Sequence, residues 1–507
     1  MYQKLKIISR SSRLAKIQAH LVGEELKKVY EDLTLEYFTT DSKADLDQSI
    51  NLASSGQVGL FTKDITQKII DADFDIAVHS WKDIPVQPSS QTIVAGTLPR
   101  GDMRDVVIFK RNILKQKKGN IEILTSSPRR KFNLTKVLPD LIPASFEKIT
   151  FKDIRGNIET RLKKFNQGSS QGIILAKVAI DRLTNFGSQD VQKMIKGIIH
   201  TNKWVILPLS VFPTAPGQGA IAIEIKKDRE ELFRFLNRIN SYQDYNSVIK
   251  EKKIMSEYGG GCHQKIGVSV WEKSDQTILS LTGETENGDQ LKEFSLLNNN
   301  DLREKKIEES NNLYPIDKKA DRFFNRVLID NSKKIEKIKK SFIYLSRKNV
   351  LDNCGQISNS NFIWTSGLSS WKSAVKKGYW VSGTSDSFGE DDLLLLDNFL
   401  PSEIVFFKLS HSGASSDKYL LVPTYELKPR TSKIECVDLS KKTHFFWMSP
   451  TQFDQALKEC PNIIKKQHSC GLGKTYKYLK NVLPNEKNIR PFLSFSDWIR
   501  FNSKEIK

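Results

Sequence analysis

Short apolar runs alternate with amphipathic stretches over the first 230 or so residues of this 507-residue chain. Leu5-Lys6-Ile7-Ile8 predicts a strand, and Ser11 and Ser12 precede a helix that gathers Leu14, Ile17 and Leu21 on one face. Phe74, Ile76 and Val78 alternate with Asp75 and Ala77, which predicts a strand ending at His79-Ser80. Residues 121–124 and 172–175 read as further strands, each followed by polar loop residues and a helical pattern. Strands alternating with helices predict α/β layers. From about residue 242 a third unit begins with a helix running to Tyr258, followed by strand-like runs at 266–270 and 278–282. The basic run Lys333-Lys334-Ile335-Glu336-Lys337-Ile338-Lys339-Lys340 reads as a helix end or linker, with a separate segment beyond it.

Composition narrows the class more than the chemistry. With 38% apolar and 27% charged residues, the chain suits soluble globular domains, and its length calls for two or more of them. No run approaches the ~18 apolar residues of a membrane helix, and the N-terminus carries no signal-type apolar region, so a cytoplasmic protein without membrane contact is expected. Five widely spaced cysteines with no CxxC pair predict neither a disulfide framework nor a zinc site, and no metal is expected. Lys plus Arg exceed Asp plus Glu by 79 to 59, a formal charge of +20 spread along the chain. Nucleic acid, a polycarboxylate ligand, or simple background would each account for that surplus, and composition alone favours background.

Four clusters carry candidate chemistry. His79-Ser80-Trp81-Lys82-Asp83-Ile84-Pro85 directly follows a strand, where α/β sheets place ligand groups. Taken alone, Lys82 and Asp83 are more often a surface pair, but a carboxylate in a cleft also shuttles protons and stabilises a developing cation. Arg10, Arg129, Arg130, Arg155, Arg161 and Arg182 each lie near a strand end or helix start, where backbone N–H groups also favour anions. Singly each is more often solvated; together their forks suit a ligand with several carboxylates. Gly259-Gly260-Gly261-Cys262 fits either a tight loop exposing a thiol or a turn around a buried one. Pro213-Thr214-Ala215-Pro216-Gly217-Gln218-Gly219-Ala220 is a punctuated loop, usually only a turn.

Nine segments in order resemble the signatures of the hydroxymethylbilane synthase (porphobilinogen deaminase) family. They are SRSS near the N-terminus, GLFTK at 59–63, DIAVHSWKDIP at 75–85, RGDMRD at 100–105, TSSPRR at 125–130, IRGNIETRL at 154–162, IILA at 173–176, PGQGA at 216–220 and GGGCHQKIG at 259–267. The resemblance implies two periplasmic-binding-protein-like α/β lobes, a smaller α/β third domain carrying the cofactor cysteine, and a separate C-terminal α/β domain. The corresponding boundaries are 1–100 with 219–240, 104–213, 242–332 and 341–507.

By that resemblance, four porphobilinogen molecules are joined head to tail with loss of ammonia, and the linear product is released as hydroxymethylbilane. Cys262 would hold one covalent dipyrromethane cofactor per chain through a thioether, and Asp83 would be the catalytic acid/base that balances an azafulvenium cation. Arg129, Arg130, Ser127, Lys82 and Asp45 would contact the cofactor. Arg10, Ser12, Arg155, Arg161, Arg182, Ser126 and Gln218 would contact substrate. The growing chain approaches about a dozen carboxylates, which several cations must hold away from water. The family suggests a monomer, and no recognised nucleic-acid motif is present.

Some positions depart from the family pattern. Ser54 and Val58 stand where lysines are common, Leu124 where Gly is usual, and Met103 where Pro is usual; Tyr258-Gly259-Gly260-Gly261 replaces a Leu-Glu-Gly-Gly run. The C-terminal segment resembles uroporphyrinogen-III synthase in Tyr344-Leu345-Ser346-Arg347, Trp364-Thr365-Ser366-Gly367, Phe446-Trp447-Met448-Ser449 and Gly471-Leu472-Gly473-Lys474-Thr475-Tyr476. That resemblance implies a cyclising activity; a noncatalytic docking module is the alternative. Cys470 to Thr475 also resembles a P-loop, but His468 occupies the first glycine position and no clear strand is read before it. For the whole chain, a noncatalytic two-lobed anion-binding protein is the competing reading, and it predicts no covalent cofactor.

Overall fold

Two five-stranded mixed sheets carry the N-terminal half. In the first, β1 (Lys4–Arg10) lies between and parallel to β2 (Thr34–Thr40) and β3 (Ile76–Ser80). Beyond β3, β10 (Ile221–Lys226) runs antiparallel and pairs onward to β4 (Thr92–Gly96), giving the order β2-β1-β3-β10-β4. The second sheet repeats that plan with β5 (Asp105–Phe109), β6 (Asn120–Leu124), β7 (Lys148–Lys152), β8 (Gly172–Ala176) and β9 (Lys203–Ile206), in the order β7-β6-β8-β5-β9. The strand that enters each sheet from the other lobe, β10 or β5, takes the same antiparallel place. The chain therefore crosses between lobes twice, at residues 97–104 and 207–220, in the expected two-lobed α/β arrangement. The computed structural model describes residues 2–41, 62–86, 89–115, 119–260, 264–297, 312–316, 323–390, 395–430 and 439–502.

Local sequence explains the helix starts that matter for the site. Ser12 Oγ accepts from Ala15 N, Ser127 Oγ from Arg130 N with Pro128 as first helical residue, and Asn157 Oδ1 from Thr160 N. Each side chain satisfies an otherwise orphaned helical N–H. Of the expected face Leu14, Ile17 and Leu21, only Ile17 is fully buried in the helix Arg13–Val29; the other two are half-buried, and the buried stripe is Ala15, Ile17, Gln18, Ala19, Val22, Gly23 and Leu26. A third unit follows, with the helix Tyr242–Ser256 packed against the antiparallel meander β11 (Gly267–Lys273), β12 (Gln276–Glu284) and β13 (Gln290–Leu296).

The C-terminal portion is built as two further sheets, and here the structure corrects the expected division at 332–341. One sheet has the order β15-β20-β19-β16-β17-β18, from β15 (Phe324–Leu328), β16 (Phe342–Leu345), β17 (Phe362–Thr365), β18 (Val381–Thr384), β19 (Phe406–His411) and β20 (Leu420–Pro429). The other is an all-parallel β14-β21-β22-β23, from β14 (Leu313–Tyr314), β21 (His444–Trp447), β22 (Gln467–Cys470) and β23 (Ile489–Pro491). Strands β14 and β15 thus belong by hydrogen bonding to the C-terminal unit, and β15 and β20 form an antiparallel ladder. A strand does precede Gly471, contrary to the sequence reading. Gln467-His468-Ser469-Cys470 carries little apolar signal, yet it is paired on both edges.

The C-terminal unit is not a tethered appendage. Trp371 Nε1 donates to Leu141 O (2.9 Å) and Trp380 Nε1 to Trp204 O (3.1 Å). Val107, Phe109, Leu134 and Leu138 of the second lobe share one apolar core with Ile343, Leu345, Trp371 and Val381. A continuous core of this kind differs from the polar contact usual between linked domains. Toward the third unit, Asp275 receives Tyr476 Oη (3.2 Å) and Lys480 Nζ (2.9 Å). No helix among the described residues is long and apolar enough to cross a membrane.

Candidate active site between the lobes

β3 ends at Ser80, and a single 3-10 turn, Trp81–Asp83, presents the candidate acid. Three contacts fix that turn. Trp81 is buried with its ring 5.2 Å from Tyr245, Trp81 N donates to Ala220 O (3.1 Å), and Lys252 Nζ donates to Ile84 O. Gly217, at φ +77°, lies so close that an added Cβ would sit 3.1 Å from Lys82 N. Only glycine combines that backbone with that approach.

Lys82 and Ser80 from the first lobe face Arg130, Arg161 and Arg182 from the second across a small cavity of about 70 Å³, with Gln18 at its edge. Burial lowers the pKa of Lys82, opposed by Asp83 and reinforced by Arg130. Burial, reinforced by Arg130 and opposed by Asp83, brings Arg161 to about 10. Arg182 is brought to about 10 by burial, opposed by Asp181. Both arginines stay charged at neutral pH. Arg130 Nε is buried with no hydrogen-bond partner among the described residues. A buried unsatisfied cationic donor costs free energy until an acceptor arrives, so this cluster fits a carboxylate-rich ligand.

Asp105, which sequence reasoning did not single out, anchors the arginine pair. Fully buried, it accepts from Arg130 Nη2 (2.6 Å), Arg129 Nη2 (2.8 Å) and Gln218 Nε2 (3.0 Å). Burial alone would raise its pKa, but the two guanidinium groups hold it well below the usual carboxylate range. Arg129 spends a further N–H on Pro213 O (2.9 Å), and Gln218 another on Met103 O (2.6 Å). Both side chains brace the crossover. A second unforeseen acid, Glu251, forms a two-pronged pair with Arg100 (2.9 and 3.0 Å) and accepts from Gly217 N and Val270 N (both 2.7 Å). It ties the third unit to the crossover. The available signal was RGDMRD, which carries two acids and two bases beside a lobe crossover.

The other expected residues are spread around this centre. Ser12 and Ser127 act as helix caps, and Ser126 Oγ bonds both Ile154 N and Ile154 O (3.0 Å each). Arg10 and Arg155 are partly buried at the end of β1 and before the helix Ile158–Gln167, and neither lines the cavity. Asp45 and Cys262 lie outside the described residues, as do Ser54 and Val58. The flank of the cysteine is described: Gly260, at φ +61°, lies against Val86, to which an added Cβ would approach within 3.3 Å. Val86 is three residues past Asp83, so Gly260 abuts the segment that follows the candidate acid. Among the described residues no group of three metal-ligating side chains converges.

Residues 5–234 match the family described as "Porphobilinogen deaminase, dipyromethane cofactor binding domain". The porphobilinogen deaminase of Clostridium novyi is 33% identical over 282 residues, 55% of this chain and 87% of the relative. That of Caldicellulosiruptor saccharolyticus is 32% identical over 295 residues, 58% of this chain and 93% of its own length. The chain belongs to the porphobilinogen deaminase family. It is a hydroxymethylbilane synthase, a transferase of porphyrin biosynthesis that acts on porphobilinogen and uses a dipyrromethane cofactor. A probable porphobilinogen deaminase of Sulfurisphaera tokodaii is 35% identical over 278 residues, covering 55% of this chain and 85% of the relative. These matches account for little more than half the chain.

Proposed function

We propose that porphobilinogen is elongated at the interlobe cavity, with Asp83 as the acid/base and Cys262 as the covalent anchor of dipyrromethane. The observation that carries this reading is the convergence of Lys82, Arg130, Arg161 and Arg182 on one cavity beside Asp83, with Arg130 Nε left over. Dipyrromethane, when bound, supplies the primer to which pyrroles are added. Arg129 and Arg130, held by Asp105, with Lys82, Ser127 and Asp45, would hold its carboxylates. Arg161 and Arg182, with Arg10, Arg155, Ser12, Ser126 and Gln218 around them, take the acetate and propionate groups of incoming porphobilinogen. Asp83 accepts the pyrrole N–H and balances the positive charge that develops as ammonia leaves, then takes up the proton lost on coupling. Four cations around one carboxylate keep the site net positive, so a polyanion is drawn in and held away from water.

Intact-mass spectrometry tests the anchor. A covalent dipyrromethane adduct is expected on the purified protein and is expected to vanish in Cys262→Ser; an unmodified protein with full turnover sinks the assignment. The same reading makes the protein cytoplasmic and monomeric, with lobes at 1–100 with 219–240 and at 104–213.

For the C-terminal unit we infer a uroporphyrinogen-III synthase-like body. The support is its two-sheet build, in which the β15–β20 ladder belongs to one sheet and β14 opens the other. β14 and β15 each add a strand to one of the two sheets, so the unit is larger than the segment 341–507 alone. The docking-module reading draws on the continuous core with the second lobe. Product analysis separates the two: type III uroporphyrinogen is expected from a competent cyclase, and type I alone favours docking.

A further inference from the structure

The outer side of the lobe crossover carries a buried chain of charges. Arg104 pairs with Asp102 (2.7 Å), Lys177 reaches Asp102 (3.3 Å) and Asp181 (2.7 Å), and Lys177 N donates to Arg104 O (3.0 Å). The C-terminal unit roofs this chain. The Trp364 ring lies 5.7 Å from the Arg104 guanidinium, the Phe399 ring 5.3 Å from Lys177 Nζ, and Asn398 Nδ2 donates to Asp181 Oδ1 (3.1 Å). Asp386 receives both Ser210 N (2.9 Å) and Ser210 Oγ, pinning the roof to the returning crossover.

Asp181 and Arg182 are consecutive on the helix Lys177–Phe186. To receive a substrate carboxylate, Arg182 must not be drawn to its neighbour's. Lys177 occupies Asp181 Oδ2 and Asn398 occupies Oδ1, so both oxygens are engaged. Among the described residues Arg182 donates one hydrogen bond, Nη2 to Gly219 O (2.8 Å), and its remaining N–H groups are free to serve the cavity.

We propose that Asn398, on the C-terminal unit, is a positioning residue of the deaminase: it holds Asp181 away from Arg182 and so keeps that arginine available for porphobilinogen. The C-terminal unit thereby completes the substrate site, whatever its own chemistry. The proposal rests on the reading of Arg182 as a substrate arginine.

The test uses the full chain and porphobilinogen. Asn398→Ala is expected to raise the KM about threefold to tenfold, with kcat within about twofold. The isosteric Asn398→Asp, which opens no cavity and swaps the donor for a second anion, is expected to raise it at least as much. In an Asp181→Asn background, which removes the competing carboxylate, Asn398→Ala should add nothing to KM. Lys372→Ala, at an exposed ion pair of the same interface, should leave KM unchanged. An unchanged KM in both Asn398 variants overturns the proposal, as does the same increment in the Asp181→Asn background. A parallel fall of kcat and Tm without a KM change also overturns it, because that marks general loosening. Arg182→Ala separates the two readings. If it leaves KM unaltered, the substrate assignment fails; if it raises KM while Asn398→Ala does not, only the positioning role fails.

Discussion

Asp83→Asn is expected to keep the covalent adduct and to lower turnover by a factor of about 10²–10⁴, the range that a positioned acid/base contributes. The substitution preserves shape and removes one negative charge. Among the described residues no hydrogen bond engages the Asp83 carboxylate, and its neighbours act on it electrostatically: Lys82 and Arg161 both sense its charge. The fold therefore loses little. The proposed chemistry loses the only carboxylate on the Trp81–Asp83 turn, and an amide can neither balance a cation nor carry the proton released on coupling. Steady-state ammonia release, paired with intact mass, reads both halves. Near-normal turnover, or loss of the adduct in parallel with turnover, would falsify the assigned role.

How far the sequence foretold this site depends on what each residue has to pair with. Asp83, Lys82, Arg130 and Arg161 were legible because each sits just past a strand or in the first turn of a helix, positions that face the interlobe cleft, whereas Arg182 lies mid-helix and was legible only through the segment that follows β8. Asp105 and Glu251 were not. Each is the counter-charge of arginines many residues away, and a single acid in RGDMRD or in the helix Tyr242–Ser256 looks like surface polarity until the chain is folded. Gln218 and Arg129 were foreseen as ligand contacts, whereas their hydrogen bonds run largely to the crossover itself. Residues near a binding site and residues that build its walls share one motif, and spacing does not separate them.

The same reasoning explains the fold. β3, β6 and β8 announce themselves through alternation or a short apolar run bounded by polar residues. β14 is two residues long and pairs with a strand some 130 positions later; β15 is mostly exposed along its length. Neither leaves a periodic trace, and the lysine-rich stretch after them looked like the natural break. The lobe-2 core continuing into Trp371, Trp380 and Val381 was equally invisible, because apolar residues record that they are buried and not against what. For the same reason nothing in the sequence connects a C-terminal residue such as Asn398 with Asp181, the neighbour of Arg182.

Asp105→Asn is expected to cost about 3–5 kcal/mol of stability, because it leaves two buried guanidinium groups without their shared anion. Asp105 is wholly buried, and the amide keeps one uncharged acceptor oxygen and turns a donor toward the other guanidinium, where the carboxylate accepts from Arg129, Arg130 and Gln218. Urea unfolding at neutral pH measures the loss; a change below about 1 kcal/mol would show that the pair finds its counter-charge elsewhere. Acid provides an independent check. The folded carboxyl titrates far below its unfolded value of roughly 4, so the unfolded chain binds the proton first as pH falls. The stabilisation is therefore complete above about pH 4 and is lost progressively below it. The gap between wild type and Asp105→Asn should be widest near neutrality and shrink in acid. Loading with dipyrromethane should shrink it as well, because carboxylates held by Arg129 and Arg130 would replace part of the missing charge. The deficit is accordingly expected to be larger in a Cys262→Ser background than in the cofactor-loaded protein. Equal deficits in both would mean that the arginine pair serves the crossover alone, and that the cofactor's carboxylates are held by other residues.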